Sequence, residues 1–466
     1  MIPLTLGEIA AMAGGAVAPG CDPSTLVVGP AAVDSRRITP GELFVAVVGA
    51  HVDGHDFVAQ AVAAGATAVL AARPVDAPAV LVDDTVLALG RLARGYRARL
   101  GADVVGITGS SGKTSTKDLL AAVLTTVAPT IAPEGSFNTE VGVPLTVLRA
   151  DHSTRFLVLE MSARGVGHIA YMCEVAPPRI GVVLNVGAAH LGEFGSREVI
   201  AQAKGELVEA LPGADDGGVA VLNADDPLVS AMRSRTRARV VTFGFSADAD
   251  VRASDVALDA LARARFRLHA NDAEADVSLG VHGAHHVSNT LAVAVVALEL
   301  GASLEAVAHA LGGARMASRW RMEVRERADG VIVVNDAYNA NPESMRAAIS
   351  ALVAMRRSGR CWAVLGEMAE LGEQSRAAHR ETGAAVAQAG VDKLVAVGAA
   401  ARGIAEGAAA QGFSSSDISC VADVDAALEV LTSARAGDVV LVKASRAAAL
   451  ERVAQLLLGD TAGASA

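Results

Sequence analysis

The chain has 466 residues, with 40 Lys and Arg against 51 Asp and Glu, and a formal net charge of −11 at pH 7. That acidic balance argues against a nucleic-acid binder, which needs a basic face to displace counterions from phosphates. A hydrophobic fraction of 52% excludes a disordered chain. Cys21, Cys173, Cys361 and Cys420 are scattered without CxxC or metal-ligand spacing, so reduced thiols are expected rather than a disulfide scaffold.

No Lys or Arg precedes Arg36, so the start lacks the basic region of a secretory signal. No apolar run reaches the ~18 residues of a membrane span. A soluble, cytoplasmic protein without membrane insertion is expected, and nothing in the pattern demands more than a monomer. At roughly 100–200 residues per domain, the length allows two to four domains.

Short β-branched runs alternate with Ala/Leu-rich helical stretches along most of the chain, the pattern of an α/β protein with largely parallel sheets. Thr5 and Glu8 form a capping box at the first helix. Strands are predicted at Leu43–Val48, Thr67–Ala71 and Ala79–Val82, with a helix after His55 and another closing near Leu100. A second block opens with the strand Asp103–Ile107 and a glycine-rich loop leading into a helix at Thr116–Leu124. Further strands are predicted at Phe156–Leu159 and Ile180–Leu184, followed by a charged, β-like segment at 239–281 and a helix at Asn289–Leu300. The third block has strands at Val331–Val334, Trp362–Leu365, Leu394–Val397 and Val439–Val442, which suggests a small doubly wound domain. Boundaries near 100 and 315 divide the chain into domains 1–100, 101–314 and 315–466.

The strongest chemical signal is Gly106-Ile-Thr-Gly-Ser-Ser-Gly-Lys-Thr-Ser115, placed between strand and helix. Glycines let the backbone turn its N–H groups toward a polyphosphate, and the helix N-terminus adds partial positive charge. Thr108, Gly109, Ser110, Ser111, Gly112, Lys113, Thr114 and Ser115 are therefore expected to bind ATP. Lys113 would reach the terminal phosphates and the Thr114 hydroxyl would ligate Mg²⁺. The loop departs from GxxxxGK[ST], because Ile107 stands where the first Gly belongs. This disfavours GTPases and kinases, and no guanine-reading Asn/Thr-Lys-x-Asp motif is present. On the loop alone, a nucleotide-driven switch or motor stays open.

Glu160 ends the strand that begins at Phe156, where a nucleotide's metal is commonly held. His190 follows the strand Ile180–Leu184 and is expected beside Glu160 in a metal or phosphate role. Ser196 is a plausible N-cap for a helix whose apolar stripe is Ile200, Ala203, Leu207 and Val208. Lys204 lies next to that stripe, and read by itself it is a snorkelling surface lysine.

Taken in order, Asp34-Ser35-Arg36, Asp53-Gly54-His55, Thr108–Thr114, Asn138-Thr-Glu-Val-Gly-Val-Pro144, Glu160, Asn185 to His190, Ala203-Lys204-Gly205-Glu206, Asn223-Ala-Asp-Asp-Pro227, His285 to Asn289, Arg319–Glu323 and Asn335-Asp-Ala-Tyr-Asn-Ala-Asn-Pro342 resemble the Mur ligases. That family builds the peptide of bacterial cell-wall precursors. The resemblance implies an N-terminal UDP-sugar-binding α/β domain, a central P-loop domain and a C-terminal Rossmann-like domain. The form of the 335–342 segment implies the reaction that joins D-alanyl-D-alanine to UDP-N-acetylmuramoyl-tripeptide through an acyl phosphate.

It also implies roles for single residues. Lys113, Glu160, His190, Lys204 and Arg321 would be catalytic. Lys204 would carry a CO₂-derived carbamate that helps Thr114, Glu160 and His190 hold a pair of Mg²⁺ ions. His285 and Asn289 would lie near adenine, Arg321 or Arg319 would reach the γ-phosphate, and Asp336 and Tyr338 would contact ATP. Ser35 and Arg36 would lie near the UDP-sugar. Asn138, Thr139, Asn339 and Asn341 would face substrate, and Lys443 and Ser445 the incoming dipeptide.

Overall fold

The computed structural model describes residues 1–49, 51–187 and 191–460. Thr5 caps the helix Leu6–Ala13 as the sequence predicts: its hydroxyl accepts the Glu8 N–H at 3.2 Å, and the Glu8 carboxylate accepts the Thr5 N–H at 2.8 Å. The first block is a five-stranded sheet in the order Ala16–Val17, Ala79–Leu81, Ala68–Ala71, Leu43–Val45, Ala31–Ala32. All pairs are parallel except the first. The helices Leu6–Ala13 and Thr85–Arg97 cover one face. Their buried residues Leu6, Ile9, Leu89, Leu92 and Tyr96 share one core with Leu145, Leu148 and Met172 of the second block. Tyr96 ties the two together, donating to the Ala150 carbonyl at 2.5 Å.

The second block is a nine-stranded sheet. Its parallel strands run in the order Thr130–Ile131, Phe156–Glu160, Asp103–Thr108, Ile180–Val183, Val219–Asn223, Arg239–Gly244. The charged segment forms the remaining strands, Val251–Leu258, Arg263–Ala270 and Ala273–His282, the last two joining antiparallel. The helices Lys113–Thr125 and His286–Glu299 pack on one face through Leu119, Leu120, Val123, Leu291 and Val295. Full burial of each such side chain contributes about 1.5–3 kcal/mol relative to exposure. The helix Arg197–Glu209 lies on the other face, burying Ile200, Leu207 and Val208.

The third sheet has six strands, in the order Glu323–Glu326, Ile332–Asn335, Val439–Lys443, Cys361–Leu365, Lys393–Val397, Ile418–Val421. Helices cover both faces, as doubly wound sheets require. Two of these strands are not anticipated from the sequence. Glu323–Glu326 is charged and pairs antiparallel at an edge, and Ile418–Val421 is a part-exposed edge, so neither shows a buried apolar run. Among the described residues no helix is long and apolar enough to cross a membrane.

Ligands bind outside the carboxyl ends of strands in open α/β sheets. Here the ends at Thr108, Glu160 and Val183 of the second sheet and at Asn335 and Lys443 of the third lead into one shared cavity.

Candidate active site

The cavity has a volume of about 820 Å³. The loop Ser110–Ser115 forms its floor. The helix begins at Lys113, three residues before the predicted start, because Gly112 turns the chain at φ +81°. No side chain caps this helix, which leaves its first amide N–H groups for a ligand. A Cβ at Gly112 would stand 2.6 Å from Asn289 Oδ1. The left-handed backbone alone costs an alanine about 1–2 kcal/mol, and the loop relieves that strain by leaving the cradle conformation. Gly112→Ala is therefore expected to weaken ADP binding about tenfold or more in a calorimetric titration. Unchanged affinity would mean that this loop does not hold phosphate.

Lys113 Nζ donates to the Gly109 carbonyl at 2.7 Å. Burial pulls its pKa down, while the Glu160 carboxylate works the other way. Thr114 Oγ1 donates to Glu160 Oε1 at 3.2 Å, and Asn138 Nδ2 donates to the same oxygen at 2.7 Å. Glu160 Oε2 is buried and has no partner. Arg321 reaches across from the segment before the third sheet and donates through Nη2 to Thr114 Oγ1 at 3.0 Å. Its guanidinium lies 4.2 Å from the centre of the Tyr338 ring, and the Tyr338 hydroxyl hydrogen-bonds Ser136 Oγ. Arg319 is exposed and does not line the cavity.

His285 and Asn289 line the wall beside the loop. The His285 ring lies 4.1 Å from that of His286, its Nδ1 is buried without a partner, and burial lowers its pKa to about 4. Lys443 is buried and donates to Asp336 Oδ2 at 2.6 Å and to the Asn339 carbonyl at 2.8 Å. Burial lowers its pKa against the pull of Asp336. Ser445 Oγ accepts the Ala369 N–H at 2.9 Å. Asn341 lines the cavity, but its side-chain oxygen accepts the Ser344 N–H at 2.8 Å as the N-cap of the helix Pro342–Ala354. Thr139 lines the opposite wall.

Not every expected residue lies here. Thr108 is fully buried at its strand end and, like Gly109, lies behind the cavity wall. Ser35 is buried in the first block, donating to Gln60 Oε1 at 3.0 Å. Arg36 is exposed and paired with Asp34 at 2.8 Å, the geometry of a capped turn. His190 falls outside the described residues.

Lys204 corrects the surface reading, being only 3% exposed. The helix Arg197–Glu209 presses against the sheet on that side. Burial, followed by the nearby charge of Lys113, pushes the Lys204 pKa well below its ordinary value.

Some side chains were not anticipated. Asn185 braces the phosphate loop, accepting the Ser111 N–H at 2.9 Å and donating to the Ser111 carbonyl at 3.1 Å. Its place just past a strand end was the available signal. Glu140 and His168, 2.7 Å apart, line both the main cavity and a second one beside Val86 and Leu87 of the first block. Only the fold brings them together.

A phosphate cradle facing the reactive edge of a second sheet is the arrangement of an ATP-dependent ligase, in which a nucleotide activates one reactant for capture by another. The chain belongs to the Mur ligase family. Family models match it at residues 31–97 (Mur ligase family, catalytic domain), 107–297 (Mur ligase middle domain) and 320–446 (Mur ligase, glutamate ligase domain). It is 51% identical to the UDP-N-acetylmuramoyl-tripeptide–D-alanyl-D-alanine ligase of Mycobacterium tuberculosis H37Rv, over 99% of this chain and 98% of that one. It is 36% identical to the ligase of the same name from Escherichia coli K12, over 98% and 99%. A crystal structure of MurF from Acinetobacter baumannii superposes with a TM-score of 0.86 at 31% identity, covering 98% of this chain and 99% of that one. MurF from Thermotoga maritima in complex with ADP gives a TM-score of 0.79 at 33% identity, covering 93% and 98%.

Proposed function

We propose that the chain joins D-alanyl-D-alanine to UDP-N-acetylmuramoyl-tripeptide, converting ATP to ADP and phosphate, in the synthesis of peptidoglycan precursors. The observation that carries this reading is the hydrogen bond from Arg321 to Thr114 of the phosphate loop, which brings the third block to the place where the reacting phosphate would sit.

A carboxylate is a poor electrophile. Its oxygen therefore attacks the γ-phosphorus, the bond from that phosphorus to the ADP oxygen breaks, and an acyl phosphate forms. The dipeptide amine then adds to the acyl carbon, and phosphate leaves with the oxygen that had bridged carbon and phosphorus. The loop amides hold the polyphosphate, while Lys113 and Arg321 offset the charge on the phosphoryl group in transfer. Closure of the three domains on the reactants would shield the acyl phosphate from water.

The residues present fit Mg²⁺. Thr114 Oγ1 and the unpartnered Glu160 Oε2 are hard oxygens at the loop, and Asn138 fixes the Glu160 carboxylate. Phosphate oxygens and water complete such an ion's shell, so no larger ligand cluster is needed. When bound, the ion neutralises phosphate charge. Lys204 fits a carbamate, because carbamylation needs a neutral amine and burial, with the charge of Lys113, favours that form. With His190, the carbamate oxygens would hold a second ion.

His285 and Asn289 lie near adenine, and Asp336 and Tyr338 contact ATP. Ser35 and Arg36 hold the UDP-sugar, and Asn138 and Thr139 face the peptide. Asn339, Asn341, Lys443 and Ser445 form the dipeptide side. Domains 1–100, 101–314 and 315–466 carry these three tasks in a cytoplasmic monomer.

The test is ADP release in a coupled assay, expected only with both the UDP-muramoyl tripeptide and the dipeptide present. Release with neither would favour a nucleotide switch. Turnover with a single amino acid in place of the dipeptide would point to a different ligation.

A further inference from the structure

The segment that carries Arg321 into the cavity holds a disfavoured backbone. Trp320 and Met322, on either side of Arg321, sit at φ +58° and +50°. Such conformations persist only where the surroundings over-determine them. The third block holds both neighbours of Arg321: the Met322 N–H donates to Asp336 Oδ1 at 3.0 Å, and the Tyr338 N–H to the Trp320 carbonyl at 3.3 Å. Further upstream the second block holds the segment: the Ser318 N–H donates to Asp118 Oδ2 at 2.9 Å.

Asp118 stands on the phosphate-loop helix itself, in the helix Lys113–Thr125. Its other oxygen pairs with Lys117, whose ammonium also donates to the Pro133 carbonyl at 3.0 Å and to Ser318 Oγ at 3.3 Å. The side chains of Lys117 and Asp118 are each 2% exposed. A buried ion pair recovers little net stability after desolvation, and its best-attested use is to select one conformation. Here the conformation selected is that of the connection from the helix Leu304–Gly313 to the strand Glu323–Glu326, which carries Arg321.

The geometry points to Asp118, supported by Lys117, as a positioning residue: it anchors the Ser318 backbone to the phosphate-loop helix, so that Arg321 docks on Thr114. This rests on the reading of Arg321 as the γ-phosphate ligand. Because Thr114 and Asp118 share one helix, the loop and the guanidinium move as one body.

The experiment is a double-mutant cycle. Asp118→Asn is expected to lower kcat about tenfold and to leave ADP affinity within about twofold, while adding little further loss to Arg321→Ala. An equal loss in both backgrounds would overturn the inference. Lys117→Met with Asp118→Leu removes both charges together, which folds tolerate far better than loss of one. That variant is expected to show the same kcat loss, and wild-type kcat in it would also overturn the inference. A readout independent of turnover is acrylamide quenching of tryptophan fluorescence. Of the two tryptophans, Trp362 is 2% exposed and Trp320 is partly exposed, so Trp320 dominates. Quenching should rise in both variants, and unchanged quenching would contradict the anchor. A wild-type protein with no ligase activity would count against the proposed function and leave this readout intact.

Discussion

Lys113→Ala is expected to cut turnover on the order of 10³-fold or more, the scale seen when a positioned charge is removed from a developing oxyanion or transferring phosphoryl group. The ammonium sits inside the loop, tied to the Gly109 carbonyl, in a buried site where screening by water is weak. Burial favours its neutral form and the Glu160 carboxylate opposes this, so a bound polyphosphate would restore full charge. Steady-state kinetics with melting curves as a folding control check the claim. A folded Lys113→Ala enzyme within tenfold of wild type would contradict it.

Lys204→Ala is expected to lose on the order of 10²-fold or more in kcat. Activity should return in part when short carboxylates are added, because they can occupy the vacated space and supply the same oxygens. Burial and Lys113 both disfavour the ammonium, so the amine is neutral well below the pH at which an exposed lysine deprotonates. Carbamylation follows the neutral form: wild-type activity should fall in CO₂-depleted buffer, most at the acidic end of the range, and recover with bicarbonate. An added Cβ on the next residue, Gly205, would stand 2.0 Å from Arg235 Nη1, which donates to the Ala201 carbonyl at 3.0 Å. Arg235 thus packs against the turn that carries Lys204. Unchanged turnover in Lys204→Ala would remove the carbamate from the mechanism.

Much of the architecture could be read from the chain because its central strands are buried apolar runs. Phe156–Glu160 and Val439–Lys443 are examples, each apolar up to the charged residue that ends it. The phosphate loop was legible because Gly112 and Lys113 act through local backbone geometry. Glu160 was legible because a strand end fixes where its side chain emerges. Other features depend on tertiary packing. Helical periodicity places Lys204 only near an apolar stripe; the sheet pressing on Arg197–Glu209 is what buries it. The charged strand Glu323–Glu326 reads as a loop until a neighbour supplies its hydrogen bonds. That the Asn341 carboxamide also caps the helix it opens is a second role, which the fold adds to its place in the cavity wall. The pairing of Asp118 with Ser318 links positions 200 residues apart, and no local pattern announces it.

The most direct test of the acyl-phosphate route uses UDP-N-acetylmuramoyl-tripeptide carrying ¹⁸O in its terminal carboxylate, with ATP, D-alanyl-D-alanine and this protein. With both carboxylate oxygens labelled, one ¹⁸O atom is expected in each phosphate released, carried over from the carboxylate oxygen that attacked the γ-phosphorus. Unlabelled phosphate alongside normal amide product would contradict it.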